Sequence, residues 1–269
     1  MTEKLGVVED TLFVPMLGRI YASENCREIL YDEKALELKE KLPEGLIEKD
    51  TQTQYTLLAS ASRSANVDRY IQDFLSRRPE GIIVQLGCGL ETAYSRNDNG
   101  HTKWYGIDLP HVIEYRKGLL KETEREELIS GDAFEKDWIE EIRKKHPDAP
   151  LLIVASGLFY YFEEEKVLRM LRMLKGYGEI EVLFDTVSKT GMTMMKKKHM
   201  KTVGHADARM YFYVDSAEEL AAKIGAKVLA EEPFYAHIPK KGLQFSTKVS
   251  MVISDRFSMV KMIHLSLNK

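Results

Sequence analysis

The chain has 269 residues, of which 44% are hydrophobic and 30% charged, a balance typical of a globular protein that buries a core. Its formal net charge of -3 argues against the broad basic surface that nucleic acid binding needs. Two cysteines, Cys26 and Cys88, are too few for a disulfide framework or a zinc site and suit a reducing cytosol. No uncharged apolar stretch is long enough to cross a bilayer. We therefore expect a single cytoplasmic domain that binds no metal, nucleic acid or membrane.

The opening of the chain mixes short apolar patches with charged stretches of helical spacing. Apolar residues recur at that spacing within Tyr31–Lys41, and Pro43 is expected to end this helix. Ser64 is the predicted N-cap of a second helix, which leads to the first strand. These patterns predict that residues 1–62 form an N-terminal helical cap on the rest of the domain.

From residue 81 onwards, short β-branched runs alternate with stretches of helical periodicity. The predicted strands are Gly81–Leu86, Lys103–Ile107, Glu127–Ser130, Pro150–Ala155 and Glu179–Phe184. The predicted helices between them are Pro110–Lys121, Glu135–Lys145 and Glu163–Leu174. Such alternation predicts an α/β domain with a parallel sheet and helices on both faces, a Rossmann-like core over residues 63–187.

The C-terminal part, residues 215–269, has a different pattern. Ser216 is expected to cap a helix that ends at Ile224, because Glu219 completes a capping box and Gly225 follows. Two strand-like runs come next, Lys227–Ala230 and Phe245–Ile253, with no predicted helix between them. Consecutive strands of this kind predict an antiparallel pair at one edge of a seven-stranded, mostly parallel sheet.

Two neighbouring strands end in residues that suit a nucleotide. The first runs into Gly87-Cys88-Gly89, and the second ends in Asp108-Leu109. Glycines permit a tight turn and let a ligand approach the backbone closely. An acid about 20 residues later stands at the interval expected for an acid that binds ribose hydroxyls. Because parallel strands share one carboxyl edge, we expect these residues to form a single site.

The third and fourth predicted strands end in similar fashion. Asp132-Ala133 follows the third, where Asp132 is a candidate acceptor for an adenine amino group, and Ser156 follows the fourth and is expected to line the cleft. Taken singly, a Gly-x-Gly turn is most often only a turn, and acids at such positions are most often caps or turn residues. The order and spacing of four strand ends favour a nucleotide site.

Three segments together resemble one known family. They read Arg63-Ser64-x-x-Val67-Asp68, then Val84-Gln85-Leu86-Gly87-Cys88-Gly89-Leu90-Glu91-Thr92-x-x-x-Arg96, then Trp104-Tyr105-Gly106-Ile107-Asp108-Leu109-Pro110. This pattern resembles the leucine carboxyl methyltransferase family, and within it the bacterial branch named for the tetracenomycin polyketide O-methyltransferase. The resemblance runs from about Tyr55 to Tyr161 and implies the Rossmann-like class I methyltransferase fold, with S-adenosylmethionine as the cofactor.

The resemblance also implies roles for individual residues. Arg63 matches the arginine that contacts the methionine carboxylate of the cofactor, and Asp132 matches the acid beside the adenine. The family commonly has an acidic residue where this chain has Ser156, so this sequence departs from the pattern at one cofactor contact. We interpret Arg96 as structural, pairing with Asp68 or with a backbone carbonyl of the glycine turn.

The acceptor side of the site is expected in an insert after the fifth strand, residues 188–214. Its segment from Gly191 to Gly204 is rich in methionine and lysine, and it is predicted to be either a lid hinged at those glycines or an amphipathic helix packed on the core. Candidate substrate-binding residues follow from their positions near the cleft: Tyr160, Tyr161, His199, Arg209 and Tyr211. A core or surface role is an open alternative for each, and no general base is singled out.

The sequence thus predicts an O-methyltransferase that uses S-adenosylmethionine and acts on a small-molecule carboxylate or hydroxyl, of polyketide type. A SAM-binding regulatory module without turnover is one alternative. A nicotinamide-dependent oxidoreductase is another, because its cofactor binds at the same point of a Rossmann-like sheet. Its fingerprint has a third glycine where this chain has Thr92, which disfavours a pyrophosphate close to the helix.

Overall fold

The computed structural model describes residues 7–42, 52–199 and 210–268. The strands are β1 Ile82–Leu86, β2 Trp104–Asp108, β3 Glu126–Ser130, β4 Leu151–Ala155, β5 Ile180–Val187, β6 Lys227–Pro233 and β7 Val260–Ser266. The helices are α1 Val7–Asn25, α2 Glu33–Leu38, α3 Gln54–Arg77, α4 Ala93–Asn97, α5 Pro110–Leu119, α6 Asp137–Lys145, α7 Glu164–Leu174, α8 Lys189–His199, α9 Ala217–Ile224 and α10 Phe245–Arg256.

The seven strands form one sheet in the order β3-β2-β1-β4-β5-β7-β6. The first five strands are parallel, and β7 lies antiparallel between β5 and β6. This arrangement confirms the predicted class I methyltransferase fold with its antiparallel edge pair. Since the chain order reverses at β1 and β4, their carboxyl ends flank the crevice where open α/β sheets bind ligands.

Two apolar clusters cover the two faces of the sheet. On one face, strand residues pack with Trp138 of α6, Leu171 of α7 and Leu220 of α9. On the other face, they pack with Phe74 of α3 and Met251 of α10. Every residue of β1, β4 and β5 is buried, as expected for central strands covered on both sides. Because both faces are covered, a ligand can reach the sheet at the carboxyl edge that lies between these two layers.

Two sequence predictions are wrong. The run Phe245–Ile253 is helix α10, and the last strand is Val260–Ser266. The residues that α10 buries are Thr247, Met251 and Ser254, a helical spacing that the many β-branched residues of the run conceal. Ser64 is not an N-cap, because α3 begins ten residues earlier at Gln54, where Thr53 accepts a hydrogen bond from the amide of Thr56.

Helix α9 begins and ends where the sequence predicts. Ser216 accepts a hydrogen bond from the amide of Glu219 at 3.3 Å, and Gly225 ends α9 in the left-handed conformation at φ +66°. The long helix α1 was not predicted, and it carries Pro15 in its interior. Pro43, expected to end an earlier helix, lies outside the described residues, as does Gly204.

Helix α1 lies unusually close to α3, and a glycine makes this possible. A Cβ added at Gly18 would come within 2.5 Å of the Leu57 carbonyl oxygen and 2.7 Å of the Ser60 Cβ. These neighbours belong to the backbone and inner side-chain atoms of α3, which have little room to move. The absence of a side chain at Gly18 therefore sets how α1 docks on the domain.

We expect Gly18→Ala to lower the free energy of unfolding by about 1–3 kcal/mol, the usual cost of overpacking, although alanine favours helices. The matched control is Gly118→Ala in α5, where an added Cβ has nothing within 4 Å. That variant is expected to gain up to about 1 kcal/mol from helix propensity. Urea unfolding of both variants measures the difference, and an equal response of the two would contradict the close packing of α1.

Candidate active site

A buried ion network fixes helix α1 to the glycine turn after β1. Arg19 of α1 is almost fully buried and donates from Nε to Asp32 at 3.1 Å. Its Nη1 donates to Glu91 at 3.2 Å, and its Nη2 donates to the carbonyl oxygen of Leu90 at 2.7 Å. Because buried charges are stable only when paired, this arginine ties the N-terminal helix to the residues that follow the two glycines.

Arg96 of α4 completes the network from the other side. It makes a two-pronged contact with Asp68 at 2.7 and 3.0 Å, and its Nη1 lies 2.7 Å from Asp32 and 2.9 Å from Glu91. Burial opposes ionisation of Glu91, but Arg19 and Arg96 lower its pKa to about 2. The predicted pairing of Arg96 with Asp68 is confirmed, and the arginine also holds the turn in place.

Thr92, which stands where a dinucleotide fingerprint has its third glycine, belongs to the same network. Its side chain is buried and its hydroxyl donates to Asp32. The position is therefore used to anchor the turn to the chain after α1. This use fits a site that has no need to seat a pyrophosphate on the helix that follows.

The glycine turn itself has the backbone shape that glycine permits. Gly87 has φ +62° and Gly89 has φ +43°, both in the left-handed region. The amide of Gly89 donates to Asp108 Oδ2 at 2.7 Å, and the amide of Leu109 donates to Oδ1 at 2.8 Å. The turn after β1 and the acid after β2 thus meet at one point, as the sequence predicts.

Asp108 is partly buried, and burial raises its pKa although the two amides and Arg116 act in the opposite direction. Each carboxylate oxygen has two acceptor positions, and each uses one for a backbone amide. One position on each oxygen is left for a ligand. This is the arrangement that can accept two hydrogen bonds from neighbouring hydroxyl groups.

Two leucine side chains lie against the glycines. A Cβ added at Gly87 would come within 3.0 Å of Leu158 Cδ1, and one added at Gly89 within 2.9 Å of Leu12 Cδ2. Leu158 comes from the segment after β4, and Leu12 from helix α1. Both contacts involve the ends of flexible side chains, so a ligand that rests against the turn needs these methyl groups to turn aside.

Cys88, between the two glycines, points away from the crevice. Its side chain is buried against Ile113 and Leu128, and burial raises its thiol pKa to about 12. Its amide donates to the Ile107 carbonyl at 3.2 Å. The side chain of Cys88 therefore belongs to the core, and its backbone amide and carbonyl stabilise the turn, because the carbonyl accepts from the Glu91 amide at 2.8 Å.

The turn after β3 presents Asp132 at the same edge of the sheet. Asp132 Oδ1 accepts a hydrogen bond from the Phe134 amide at 2.9 Å, and the side chain is about two-fifths exposed. The next residue, Ala133, is buried, and its carbonyl accepts from the Trp138 indole at 3.1 Å. Phe134 packs on Phe162 with ring centroids 4.2 Å apart, which gives the turn an apolar wall.

A cluster at the ends of β4 and β5 centres on Asp185, which the sequence analysis missed. This fully buried carboxylate accepts hydrogen bonds from Arg63 Nε at 2.7 Å, from the Gly157 amide at 2.7 Å and from the Tyr160 hydroxyl at 2.5 Å. The available signal was an acid within the apolar run of β5, since a buried acid requires partners. Ser156 lies next to Gly157 and is half-buried.

The charges of the Asp185 cluster are mutually compensated. Burial opposes the charge of Arg63, but Asp185 outweighs it and raises the pKa of the guanidinium. Burial and the negative charge of Asp185 raise the pKa of Tyr160 well above its ordinary value. Tyr160 therefore stays a neutral donor near pH 7, and Arg63 stays charged with about a quarter of its side chain exposed.

The candidate acceptor side lies next to this cluster. The amide of Tyr211 donates to the Tyr160 carbonyl at 2.7 Å, so the segment after the insert runs alongside the turn that carries Tyr160. The side chains of Tyr161 and Tyr211 are each exposed by slightly more than two-fifths. His199 is the last residue of α8, but its side chain lies outside the described residues, as does all of Arg209.

The first part of the insert is helix α8, packed on the sheet. Met192 is buried against Tyr160 and Val187. Gly191 is buried too, because a Cβ there would meet the Met259 carbonyl oxygen at 2.1 Å. This contact supports the amphipathic helix over this part of the insert, and hinge motion at Gly191 stays a prediction.

Residues 7–42, 52–199 and 210–268 contain neither a metal-binding cluster nor a membrane-spanning helix. Within these ranges, no group of three or more histidine, cysteine, aspartate or glutamate side chains is placed to hold a metal ion. No helix in the same ranges combines the length and apolar character needed to span a membrane.

Comparison with known proteins agrees with this geometry. The chain matches the leucine carboxyl methyltransferase family over residues 8–175. It is 28% identical over 188 residues to the tetracenomycin polyketide synthesis O-methyltransferase TcmP of Streptomyces glaucescens, which covers 69% of this chain and 68% of TcmP.

Solved structures share the fold. A DUF574 family protein from Streptomyces avermitilis has a TM-score of 0.58 at 12% identity, with 92% of this chain and 95% of that chain covered. The magnesium protoporphyrin IX methyltransferase of Synechocystis, solved with bound SAH, has a TM-score of 0.51 at 12% identity, with 92% and 97% covered. The family match extends over more than half of the chain. The chain is therefore a member of the leucine carboxyl methyltransferase family and an S-adenosylmethionine-dependent methyltransferase.

Proposed function

We propose that this methyltransferase transfers its methyl group to an oxygen atom of a small organic molecule, with an ionised carboxylate as the preferred acceptor. The observation that carries the proposal is the meeting of three strand ends at one crevice. There the Gly89 amide holds the Asp108 carboxylate, Leu158 lies against Gly87, and the guanidinium of the Arg63–Asp185 pair lies beside Gly157.

The residues at this crevice fit S-adenosylmethionine in charge and in hydrogen bonding. Asp108 retains acceptor positions for the two ribose hydroxyls, and Leu109 exposes two-fifths of its surface beside them as an apolar contact for the adenine. Asp132, Ala133 and Ser156 line the same edge. The charged and partly exposed Arg63 suits the methionine carboxylate. When bound, the cofactor supplies an activated methyl group on its sulfonium.

The Asp185 cluster orients the groups at the methionine end. Asp185 accepts from Arg63 Nε, and the guanidinium lies beside the Gly157 backbone, so its terminal nitrogens are the groups with which Arg63 would hold the methionine carboxylate. Since a fixed guanidinium loses less side-chain freedom on binding an anion, this pairing favours a carboxylate in one orientation. The family usually has an acid at the position of Ser156. In this chain the Asp185 carboxylate, which accepts from the neighbouring Gly157 amide, supplies a negative charge beside that position.

The proton balance favours an acceptor that is already ionised. Tyr160 donates a hydrogen bond to Asp185 and keeps its own proton because its pKa is raised, so this phenol cannot act as a base toward a substrate, and the Asp185 carboxylate is already engaged by its three donors. A carboxylate needs no base near pH 7, whereas an ordinary phenol has a pKa of about 10. For methyl transfer to a carboxylate, the protein therefore needs only to align the acceptor oxygen with the methyl group and to exclude water.

The shape of the acceptor side supports an aromatic or polyketide-like molecule. The exposed ring of Tyr161 belongs to the turn that carries Tyr160, and the exposed Tyr211 is joined to that turn by its backbone amide. Tyrosine offers a flat apolar surface with one polar end, which suits planar molecules that carry oxygen substituents. TcmP is named as an O-methyltransferase of polyketide synthesis, which is in keeping with such an acceptor.

Turnover with radiolabelled S-adenosylmethionine tests the proposal directly. The protein is incubated with matched pairs of aromatic compounds that differ only in a carboxylate, a phenol or an amine. We expect methylation of the carboxylates, weaker methylation of acidic phenols, and none of the amines. Methyl transfer to the amines alone would overturn oxygen as the acceptor, and tight cofactor binding without any turnover across the panel would favour a regulatory module.

Replacing Asp108 by asparagine tests the ribose contact. We expect Asp108→Asn to weaken cofactor binding at least about ten-fold, since a hydrogen bond to a charged group contributes roughly 1.5–3 kcal/mol. Titration calorimetry with S-adenosylmethionine measures the change. The matched control is Asp73→Asn, an exposed carboxylate that pairs with Arg77 on the outer part of α3. Equal affinities of the two folded variants would remove Asp108 from the site.

The raised pKa of Asp108 gives a pH dependence with a definite sign. Protonation begins at a higher pH than for an ordinary aspartate of pKa about 3.9, so affinity for the cofactor should fall as the pH is lowered from about 7 towards 4. The fall should be steeper in the natural protein than in Asp108→Asn, which has no charge to lose there. Parallel profiles for the two proteins would show that another group controls binding.

Arg63 is tested by its charge and by its shape. We expect Arg63→Gln to lower affinity for the cofactor about ten-fold or more, with Arg63→Lys recovering only part of the loss because it lacks the planar fork. S-Adenosylmethionine methyl ester, which lacks the carboxylate charge, should bind the natural protein and Arg63→Gln about equally. A control is Arg69→Gln on α3, whose partner is Glu232. If both cofactor forms lose affinity equally in Arg63→Gln, the arginine does not bind the carboxylate.

A further inference from the structure

Helix α10 carries an apolar surface that the described part of the chain leaves exposed. Across the described residues, five of the fourteen large apolar side chains that stand exposed fall within thirteen consecutive positions. We call these five the α10 stripe: Phe245, Val249, Val252, Ile253 and Phe257. Phe245 is 82% exposed and Phe257 is 61% exposed. Successive members are four, three, one and four residues apart, which places all five on one side of the helix.

The opposite side of α10 already serves the core. Thr247, Met251 and Ser254 are buried there, and Met251 packs with the apolar cluster of α3. The stripe is therefore separate from the side of α10 that packs on the core. At about 200 Å² for an aromatic side chain, the two phenylalanines alone leave roughly 250–300 Å² of apolar surface in water. Apolar patches of a few hundred Å² on soluble proteins commonly mark interaction sites.

The order of side chains along the stripe points to its partner. Four of its five residues are placed symmetrically about Met251: Phe245 and Phe257 stand six residues to either side, and the β-branched Val249 and Ile253 stand two residues to either side. A two-fold axis across an antiparallel helix pair brings residues at equal distances from the axis together. Each Phe245 then meets the Phe257 of the second helix, each Val249 meets an Ile253, and Val252 lies next to the axis.

We propose that the α10 stripe is the interface for a second copy of this chain, with the two α10 helices packed antiparallel. Arg256 lies within the exposed face, five residues after the centre, and Phe245 lies six residues before it. The pairing therefore sets each Arg256 guanidinium next to the Phe245 ring of the other copy, where a cation–π contact is favourable. The one charged side chain on the exposed face thus has a partner in the second copy.

The extent of the stripe sets the expected strength. Twelve residues of helix extend about 18 Å at 1.5 Å each. Five side chains over this length supply less than the roughly 800 Å² per partner of a standard stable interface. We therefore expect a reversible dimer whose population rises with protein concentration across the micromolar range.

Sedimentation velocity over a series of concentrations tests the proposal. We expect the mass to rise from 30.9 kDa towards about twice that value in the natural protein. Val252→Glu should keep it monomeric, because two buried carboxylates would face each other near the axis. The matched control is Leu229→Glu on the edge strand β6, which is similarly exposed and lies outside the stripe, and it should dimerise as the natural protein does.

Cross-linking tests the antiparallel register. A mixture of Val249→Cys and Ile253→Cys proteins should form disulfide-linked dimers faster than either variant alone, because the pairing sets position 249 against position 253. A natural protein that stays monomeric at every concentration, or a Val252→Glu variant that dimerises normally, would overturn the proposal. So would stripe-dependent sedimentation of a monomer with phosphatidylcholine–phosphatidylserine vesicles, which would assign the stripe to a membrane surface.

Discussion

The structure depends on one buried group of charges between the N-terminal helix and the glycine turn. Arg19 and Arg96 both bind Asp32 and Glu91. Each arginine also has a third partner, which is the Leu90 carbonyl for Arg19 and Asp68 for Arg96. Buried charges without partners are costly, so all of these groups must come together at once or not at all. The network therefore makes the position of the turn conditional on the docking of α1.

This dependence extends to the proposed cofactor site, because the network and that site are adjacent along the chain. Leu90 and Glu91 follow Gly89 directly, and the Gly89 amide holds Asp108, the acid of the neighbouring strand. Helix α1 also places Leu12 against Gly89, while Gly18 lets the helix lie close to α3. One helix thus both braces the turn and covers it. Helix α1 stabilises the glycine turn, and its Leu12 side chain must move aside when a ligand binds against Gly89.

The strand ends could be predicted from sequence because each depends on local chemistry: glycines at positive φ, an acid after the next strand, and β-branched runs between them. The roles of Asp185 and Arg19 could not, since only the folded chain brings their partners together. Asp185 bonds to residues 25, 28 and 122 positions away, and the two acids that pair with Arg19 are 13 and 72 positions away. The helix α10 was misread for a related reason. Its exposed Val252 and Ile253 raise the β-branched content without entering the core, so composition outweighed the helical spacing of Thr247 and Met251.

The most direct test of the central claim is the affinity for S-adenosylmethionine after the network is weakened at a residue outside the crevice. Asp32 is fully buried and bonds to both arginines, so Asp32→Asn removes one charge and keeps the shape. Calorimetry and thermal unfolding are measured on the same sample. The account predicts that Asp32→Asn loses cofactor affinity while its central sheet stays folded. Unchanged affinity in Asp32→Asn, despite a lowered stability, would contradict it.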